Sequence, residues 1–197
     1  MKEMEVLVTF DNTKDEVIDI LSKFNLVGEK ELFDTYYVDP LRENLKPEND
    51  LRLNETFRIR RNKEACFVTY KKQHFKGKLW IYSDEYETEV KDYKIMEKII
   101  SMLGLEALIT VHNKRTVYKY MDYEIVFEDV ENLGYFLEVE KLSKDENDAM
   151  KVKEEIRDFI RSLKLKNVRE LNIGKNQYLL SKKLECKINL FNDTVYW

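Results

Sequence analysis

Apolar residues recur along this chain at two different spacings. Three segments place them three and four apart, the period of one face of an α-helix. The first covers residues 13–24, with Val17, Ile20, Leu21 and Phe24 on one stripe and Asn12 or Thr13 positioned to cap it. The second covers 92–103, where Ile95, Met96, Ile99, Met102 and Leu103 fall together and Gly104 ends the run. The third opens on Ser143-x-x-Glu146, a capping-box pattern, and continues through Ala149, Val152, Ile156, Phe159, Ile160 and Leu163. Each helix is expected to have one dry face and one wet face.

Elsewhere the period is two. Strands are predicted at 3–10, 31–39, 56–61, 65–72, 78–90, 108–119, 123–130 and 135–141. The polar breaks at 62–64 and 121–122 suit hairpins, so the sheet should be antiparallel. The order of one strand, a helix, four strands, a helix, three strands and a helix gives an α+β fold class. Residues 40–55 hold both prolines and little periodicity, which predicts a long loop able to lie over a site. The segment 185–197 is apolar enough to dock but carries no assignable role. One domain spanning 1–197 is the expectation for this length.

The polar positions of the strands carry the chemistry. In the first strand Met4, Val6, Val8 and Phe10 oppose Glu3, Glu5, Leu7 and Thr9. The same arrangement puts Arg58 and Arg60 on one face, Glu87 and Glu89 on another, then Glu138 and Glu140, with Lys71 two beyond Thr69. A solvated face would account for any single pair. Solvated faces, however, usually mix signs to gain cross-strand pairs, and here each strand carries one sign. Were the face turned inward, its carboxylates would need cations and its arginines an anion, because buried charge must be paired. A metal-chelated polyphosphate supplies both, with Mg²⁺ or Mn²⁺ on the carboxylates and Arg58, Arg60, Lys71 and Arg115 on phosphate oxygens. Spacing alone leaves the solvated and the inward reading both open.

Composition narrows the choice. A net charge of −4 and a pI near 5.5 argue against a nucleic-acid binder that neutralises backbone phosphates. None of the five glycines makes a phosphate-cradling loop, so side chains would have to hold a phosphate. Cys66 and Cys186 stand far apart, and His74 and His112 are the only histidines, which disfavours zinc and leaves a hard cation held by carboxylates. No apolar run approaches the roughly 18 residues of a membrane span. With a charged start to the chain as well, a cytoplasmic protein without membrane contact is expected. Homodimerisation is left open.

Read in order, Glu3-x-Glu5, "FRIR" (57–60), "TYKK" (69–72), "ETEV" (87–90), "NKR" (113–115), "EDVENLG" (128–134) and "FLEVE" (136–140) resemble the CYTH, or triphosphate tunnel metalloenzyme, superfamily. The resemblance runs from residue 3 to about 142 and is nearest to the class IV adenylate cyclase branch. It implies a closed eight-stranded antiparallel β-barrel with flanking helices and a charged tunnel inside. By this resemblance Glu3, Glu5, Glu138 and Glu140 would bind metal, and Glu87, Glu89 and Glu128 would orient metal or water. Arg58, Arg60, Lys71, Lys114 and Arg115 would bind triphosphate. Lys114 and Arg115 are adjacent on one strand and cannot both face inward; Arg115 is favoured.

The implied activity is metal-dependent chemistry on a triphosphate, first ATP to cyclic AMP and pyrophosphate. Hydrolysis of inorganic or thiamine triphosphate is the alternative, since the shared residues recognise the triphosphate and not what is attached to it. Two positions depart from the family pattern. Leu7 stands where the ExExK motif has lysine, which favours a non-catalytic triphosphate-binding module as a further alternative. Glu128 stands where aspartate is common and lengthens that carboxylate by one methylene.

Overall fold

The computed structural model describes residues 2–77, 79–143, 148–192, 195 and 197. Among these, nine strands and four α-helices follow the order β1 (Lys2–Thr9), α1 (Lys14–Leu21), β2 (Asn25–Val38), β3 (Glu55–Arg61), β4 (Cys66–Lys76), β5 (Leu79–Glu89), α2 (Tyr93–Met102), β6 (Glu106–Tyr120), β7 (Tyr123–Val130), β8 (Gly134–Ser143), α3 (Ala149–Ser162), β9 (Arg169–Glu170) and α4 (Lys175–Lys183). The strand pairings are all antiparallel, in the order β5-β4-β3-β2-β6-β7-β8-β1-β9. A further pairing of Lys2 with Asp84 and Glu3 with Ser83 joins β1 to β5, so the hydrogen-bonded sequence of β1 to β8 returns on itself.

The apolar rows of the strands pack beneath the helices. Met4, Val6 and Val8 of β1 join Ile125, Phe127, Leu137 and Val139 and meet Val17 and Leu21 of α1 and Val152, Ile156 and Ile160 of α3, all buried. Each such side chain contributes about 1.5–3 kcal/mol by leaving water. The opposite rows are therefore left to face one another. That is how a strand can carry charges of one sign: its packing energy comes from its other face.

Local signals behave as their chemistry requires, with several differences from expectation. Thr13 and Glu16 form the capping box that opens α1, with Glu16 N–H donating to Thr13 Oγ1 at 3.3 Å and Thr13 N–H to Glu16 Oε2 at 3.0 Å. The third helix starts at Ala149, after Asp148, and not at Ser143, which ends β8; Glu146 of the expected capping box lies outside the described residues. In α2 the expected stripe is not the dry one. Ile100 is buried with Met96 and Tyr93 beside it, against Tyr37 and Ile59, while Ile95, Ile99, Met102 and Leu103 are exposed. The long loop contains a 3-10 turn at Glu43–Leu45, with Leu45 and Leu53 buried. No helix is long and apolar enough to cross a membrane among the described residues.

Neither β9 nor α4 was expected. β9 lies against the end of β1, pairing Glu170 with Val8 and Arg169 with Thr9. It is fixed from behind by Arg157 of α3, whose Nε and Nη2 donate to Glu170 at 2.8 and 2.9 Å, with both residues under 5% exposed. Removing one partner of such a pair strands the other charge in low dielectric. Arg157→Ala is expected to lower unfolding free energy by about 3–5 kcal/mol. Urea denaturation that finds the variant within 1 kcal/mol of the wild type would show that the pair is solvated.

Candidate functional site

All eight strands of the circuit line one cavity of about 240 Å³. Glu3, Glu5 and Leu7 come from β1, Tyr36 from β2, Thr56, Arg58 and Arg60 from β3, and Lys71 and Gln73 from β4. Trp80, Glu85 and Glu87 come from β5, Arg115 from β6, Glu124 from β7, and Glu138 and Glu140 from β8. Gly174, Lys175 and Asn176 enter from the start of α4. A roomier cleft of about 630 Å³ lies between α3 and the tail, but its buried acid, Glu170, is already held by Arg157.

One wall is acidic. Glu5 lies directly across from Glu140, and Glu140 directly across from Glu124, so three carboxylates cross β1, β8 and β7 in a row. Glu3, Glu5 and Glu140 each place a carboxylate oxygen within 4.8 Å of the other two. Burial pushes the Glu5 carboxyl up to about 8, with Glu138 and Glu3 adding to the shift and Lys71 opposing it. Burial together with Glu3, Glu138 and Glu5 pushes Glu140 up to about 9. Fully ionised, the cluster would carry more negative charge than its neighbours neutralise, so Glu5 and Glu140 favour their protonated forms. Lys71 is the nearest cation, with Nζ donating to Glu3 at 2.6 Å and Glu5 at 2.9 Å and lying 3.4 Å from Glu85.

The facing wall is basic. Asp34, which is 2% exposed, receives both arms of Arg60, Nε and Nη2, at 2.8 Å each. Burial alone would raise the Asp34 carboxyl, but Arg60 and Arg58 outweigh it and hold the group well below the usual carboxylate range. Arg58 is held more loosely, at 3.5 Å from Asp34, 3.4 Å from Glu85 and 3.9 Å from Glu87, and its buried Nε has no hydrogen-bond partner. Arg115 reaches Glu128 at 2.5 Å and Glu138 at 4.0 Å. Lys175 pairs with both of those carboxylates. Burial would raise Glu138, and Lys175 and Arg115 instead hold it well below the usual range.

Most of the residues predicted from sequence meet here, and some do not. Glu3, Glu5, Arg58, Arg60, Lys71, Glu87, Arg115, Glu138 and Glu140 all line the cavity. Glu138 stands apart from the three clustered acids because Lys175 and Arg115 engage it. Glu128 is fully buried behind the lining, bound by Asn113 Nδ2 at 3.0 Å and by Arg115 and Lys175, so it fixes cations and does not face the cavity. Lys114 is exposed on the other face of β6 from Arg115, opposite Glu31, as strand alternation dictates. Glu89 is the last residue of β5, exposed and beyond the cavity.

Sequence reasoning missed Asp34, Glu85, Glu124 and Lys175. The first three were within reach: Asp34 shares a row with Tyr36, Glu85 is two before Glu87, and Glu124 shares a row with Glu128. Lys175 offered no such signal, since nothing local shows that α4 would turn its first residue into the cavity.

Residues 1–172 match the CYTH domain family. MJ0240 of Methanocaldococcus jannaschii, provisionally named an adenylate cyclase, is 32% identical over 181 residues, covering 91% of this chain and 97% of that protein. Among solved structures, the PH1819 protein of Pyrococcus horikoshii superposes with a TM-score of 0.77 at 25% identity, over 91% of this chain and 99% of its own. HpAC1 from Hippeastrum, provisionally named an adenylyl cyclase and described as having a dominant triphosphatase activity, superposes with a TM-score of 0.61 at 13% identity, over 95% and 98% of the two chains.

Proposed function

This chain belongs to the CYTH domain family, and we propose that it is a metal-dependent enzyme whose charged cavity binds ATP or another triphosphate. The observation that carries this reading is the division of one enclosed space into a carboxylate wall and a guanidinium wall. A chelated polyphosphate matches both at once, whereas neither a bare cation nor a bare anion does. On this reading the circuit of strands is a barrel and the cavity its tunnel.

Glu3, Glu5 and Glu140 fit a hard divalent ion: three carboxylate oxygens converge, and the raised Glu5 and Glu140 carboxyls hold protons that a cation would displace. These residues would hold Mg²⁺ or Mn²⁺, which when bound would neutralise phosphate charge and favour the leaving group. Arg58 and Arg60 donate to phosphate oxygens through the guanidinium N–H groups that Asp34 leaves free, and Asp34 holds Arg60 by its other edge. Arg58 is the better placed to exchange partners, because its ion pairs with Asp34, Glu85 and Glu87 are all at 3.4 Å or more. Lys71 and Arg115 complete the cradle. Glu87, which accepts from Thr69 Oγ1 at 2.7 Å, is assigned to orient an attacking hydroxyl or water.

The reaction assigned first is cyclisation: the ribose 3′-oxygen attacks the α-phosphorus, the bond to the bridging oxygen breaks, and pyrophosphate leaves. The relatedness to MJ0240 supports that choice. Hydrolysis, with water attacking the terminal phosphorus, is the second reading, and a specific observation favours it. Of the two aromatic side chains lining the cavity, Trp80 is 7% exposed with Lys71 and Lys153 each within about 5.5 Å of its ring, which leaves Tyr36 alone to meet a base.

Phosphorus NMR of ATP and of tripolyphosphate incubated with the protein and Mg²⁺ or Mn²⁺ decides among these. Cyclic AMP with pyrophosphate is the expected result for ATP. Inorganic phosphate without cyclic AMP would replace cyclisation by hydrolysis. Unchanged spectra for both compounds with both metals would overturn the enzymatic reading.

A further inference from the structure

Position 7 presents a puzzle in this cavity. Leu7 lies on the same row as Glu3 and Glu5 and lines the cavity, yet it is a hydrocarbon, 2% exposed. It packs with Val111, Val130 and Phe136 from the sheet and with Leu171 and Ile173 from the segment between β9 and α4. The backbone is tied at the same point, with Leu171 N–H donating to the Leu7 carbonyl at 2.8 Å. Leu7 is thus a seat for a piece of chain that arrives from outside the sheet.

What that segment delivers is an ammonium group. Four residues past Leu171, Lys175 begins α4 and places Nζ on Glu138 and Glu128. Glu138 is the residue directly across from Leu7 in the β1–β8 pairing, so the cation stands beside the position whose own side chain is apolar. At Gly174, the cap of α4, the Asn176 side chain fills the space that a Cβ would occupy. Although burial works against it, Glu128 and Glu138 keep the Lys175 ammonium charged. An ammonium has three N–H donors, and the two carboxylates take two, leaving one for the cavity that Lys175 lines.

We propose that Lys175, seated by Leu7, is a substrate-contacting residue that donates to the bound triphosphate from the β8 side of the cavity. This rests on the triphosphate reading above. Lys175 extends the basic wall formed by Arg58, Arg60 and Arg115 across to the acidic one, so a phosphate chain lying between the walls is held from both sides. Leu7 is a positioning residue: it carries no charge and acts only through the chain it anchors.

The test is a calorimetric cycle with magnesium tripolyphosphate as the probe, using wild type, Arg58→Ala, Lys175→Met, Lys175→Arg, Leu7→Ala and the Leu7→Ala/Lys175→Met double variant. Lys175→Met is expected to weaken binding at least tenfold and Lys175→Arg to restore it to within about threefold of wild type. Leu7→Ala should weaken binding severalfold alone and have no further effect when Lys175 is already methionine. A merely structural role would make the two losses multiply. Because Lys175→Met leaves Glu128 and Glu138 with Arg115 as their remaining cation, a Leu7→Lys/Lys175→Met variant is included, which returns the charge from β1 and should recover affinity. Equal affinity in wild type, Lys175→Met and Leu7→Ala, with Arg58→Ala weakened, overturns this proposal alone. Failure of the wild type to bind the probe overturns the triphosphate reading and this proposal with it.

Discussion

Asp34→Ala is expected to lower unfolding free energy by about 3–5 kcal/mol, the cost of stranding buried cations. Asp34 is 2% exposed and is the partner of both arms of Arg60, and it lies 3.5 Å from Arg58. Without it, two guanidinium groups share a confined space with no carboxylate between them. The same deletion should make an anion more valuable to the fold. Tripolyphosphate is therefore expected to raise the melting temperature of Asp34→Ala by more than it raises that of wild type, since ligand binding stabilises by mass action. Paired urea and thermal melts check both halves. A loss under 1 kcal/mol, or a smaller ligand shift in the variant, would show that Asp34 does not organise the basic wall.

The second large effect is on pH. Glu5 and Glu140 have carboxyls pushed up to about 8 and about 9 from an ordinary value of 4.5. Between those limits the folded protein binds protons that the unfolded chain has released, so stability falls as pH rises from about 5 to about 9. The melting temperature in chelator should decline across that window. On the proposed assignment of Glu3, Glu5 and Glu140 to the metal, binding must expel these protons, so affinity for Mg²⁺ or Mn²⁺ should climb by up to about 100-fold per pH unit between pH 6 and 7.5, two protons being displaced. Calorimetry in buffers of different ionisation enthalpy counts the protons directly. Metal uptake without proton release would remove Glu5 and Glu140 from the metal site.

The strands were legible in the sequence because their residues alternate and their charges fall on one row; that period groups Glu3 with Glu5, Arg58 with Arg60 and Glu138 with Glu140, while the inward turn that brings them to one cavity needed the family resemblance to be read. Adjacent residues are sorted by the same rule, which is why Arg115 turns inward and Lys114 does not. The row does not say where along a strand the cavity ends, and Glu89, on the row of Glu87 but at the strand's last residue, falls outside it. Helix periodicity was a poorer guide in α2, where apolar residues occupy more of the circumference than the core covers. The least legible part was the stretch from β9 to α4. Its order depends on a seat built by Leu7, Val111 and Phe136, residues from three distant strands, and no local window of sequence contains that seat.

The seat also sets an order of events in time. β1 leaves the ribosome well before its partner β8 and the flanking β9, which lie far along the sequence from it. Until then β1 has open edges, and these long-range pairings carry the loop-closure entropy that slows β-rich topologies. The ring of strands therefore cannot close before β8 has been made. Lys175, whose position is fixed only once Leu171 and Ile173 settle on Leu7, is among the last groups to reach the cavity. A chain that stops short of α4 lacks Lys175, so the charge lining of the cavity is complete only once α4 has been made.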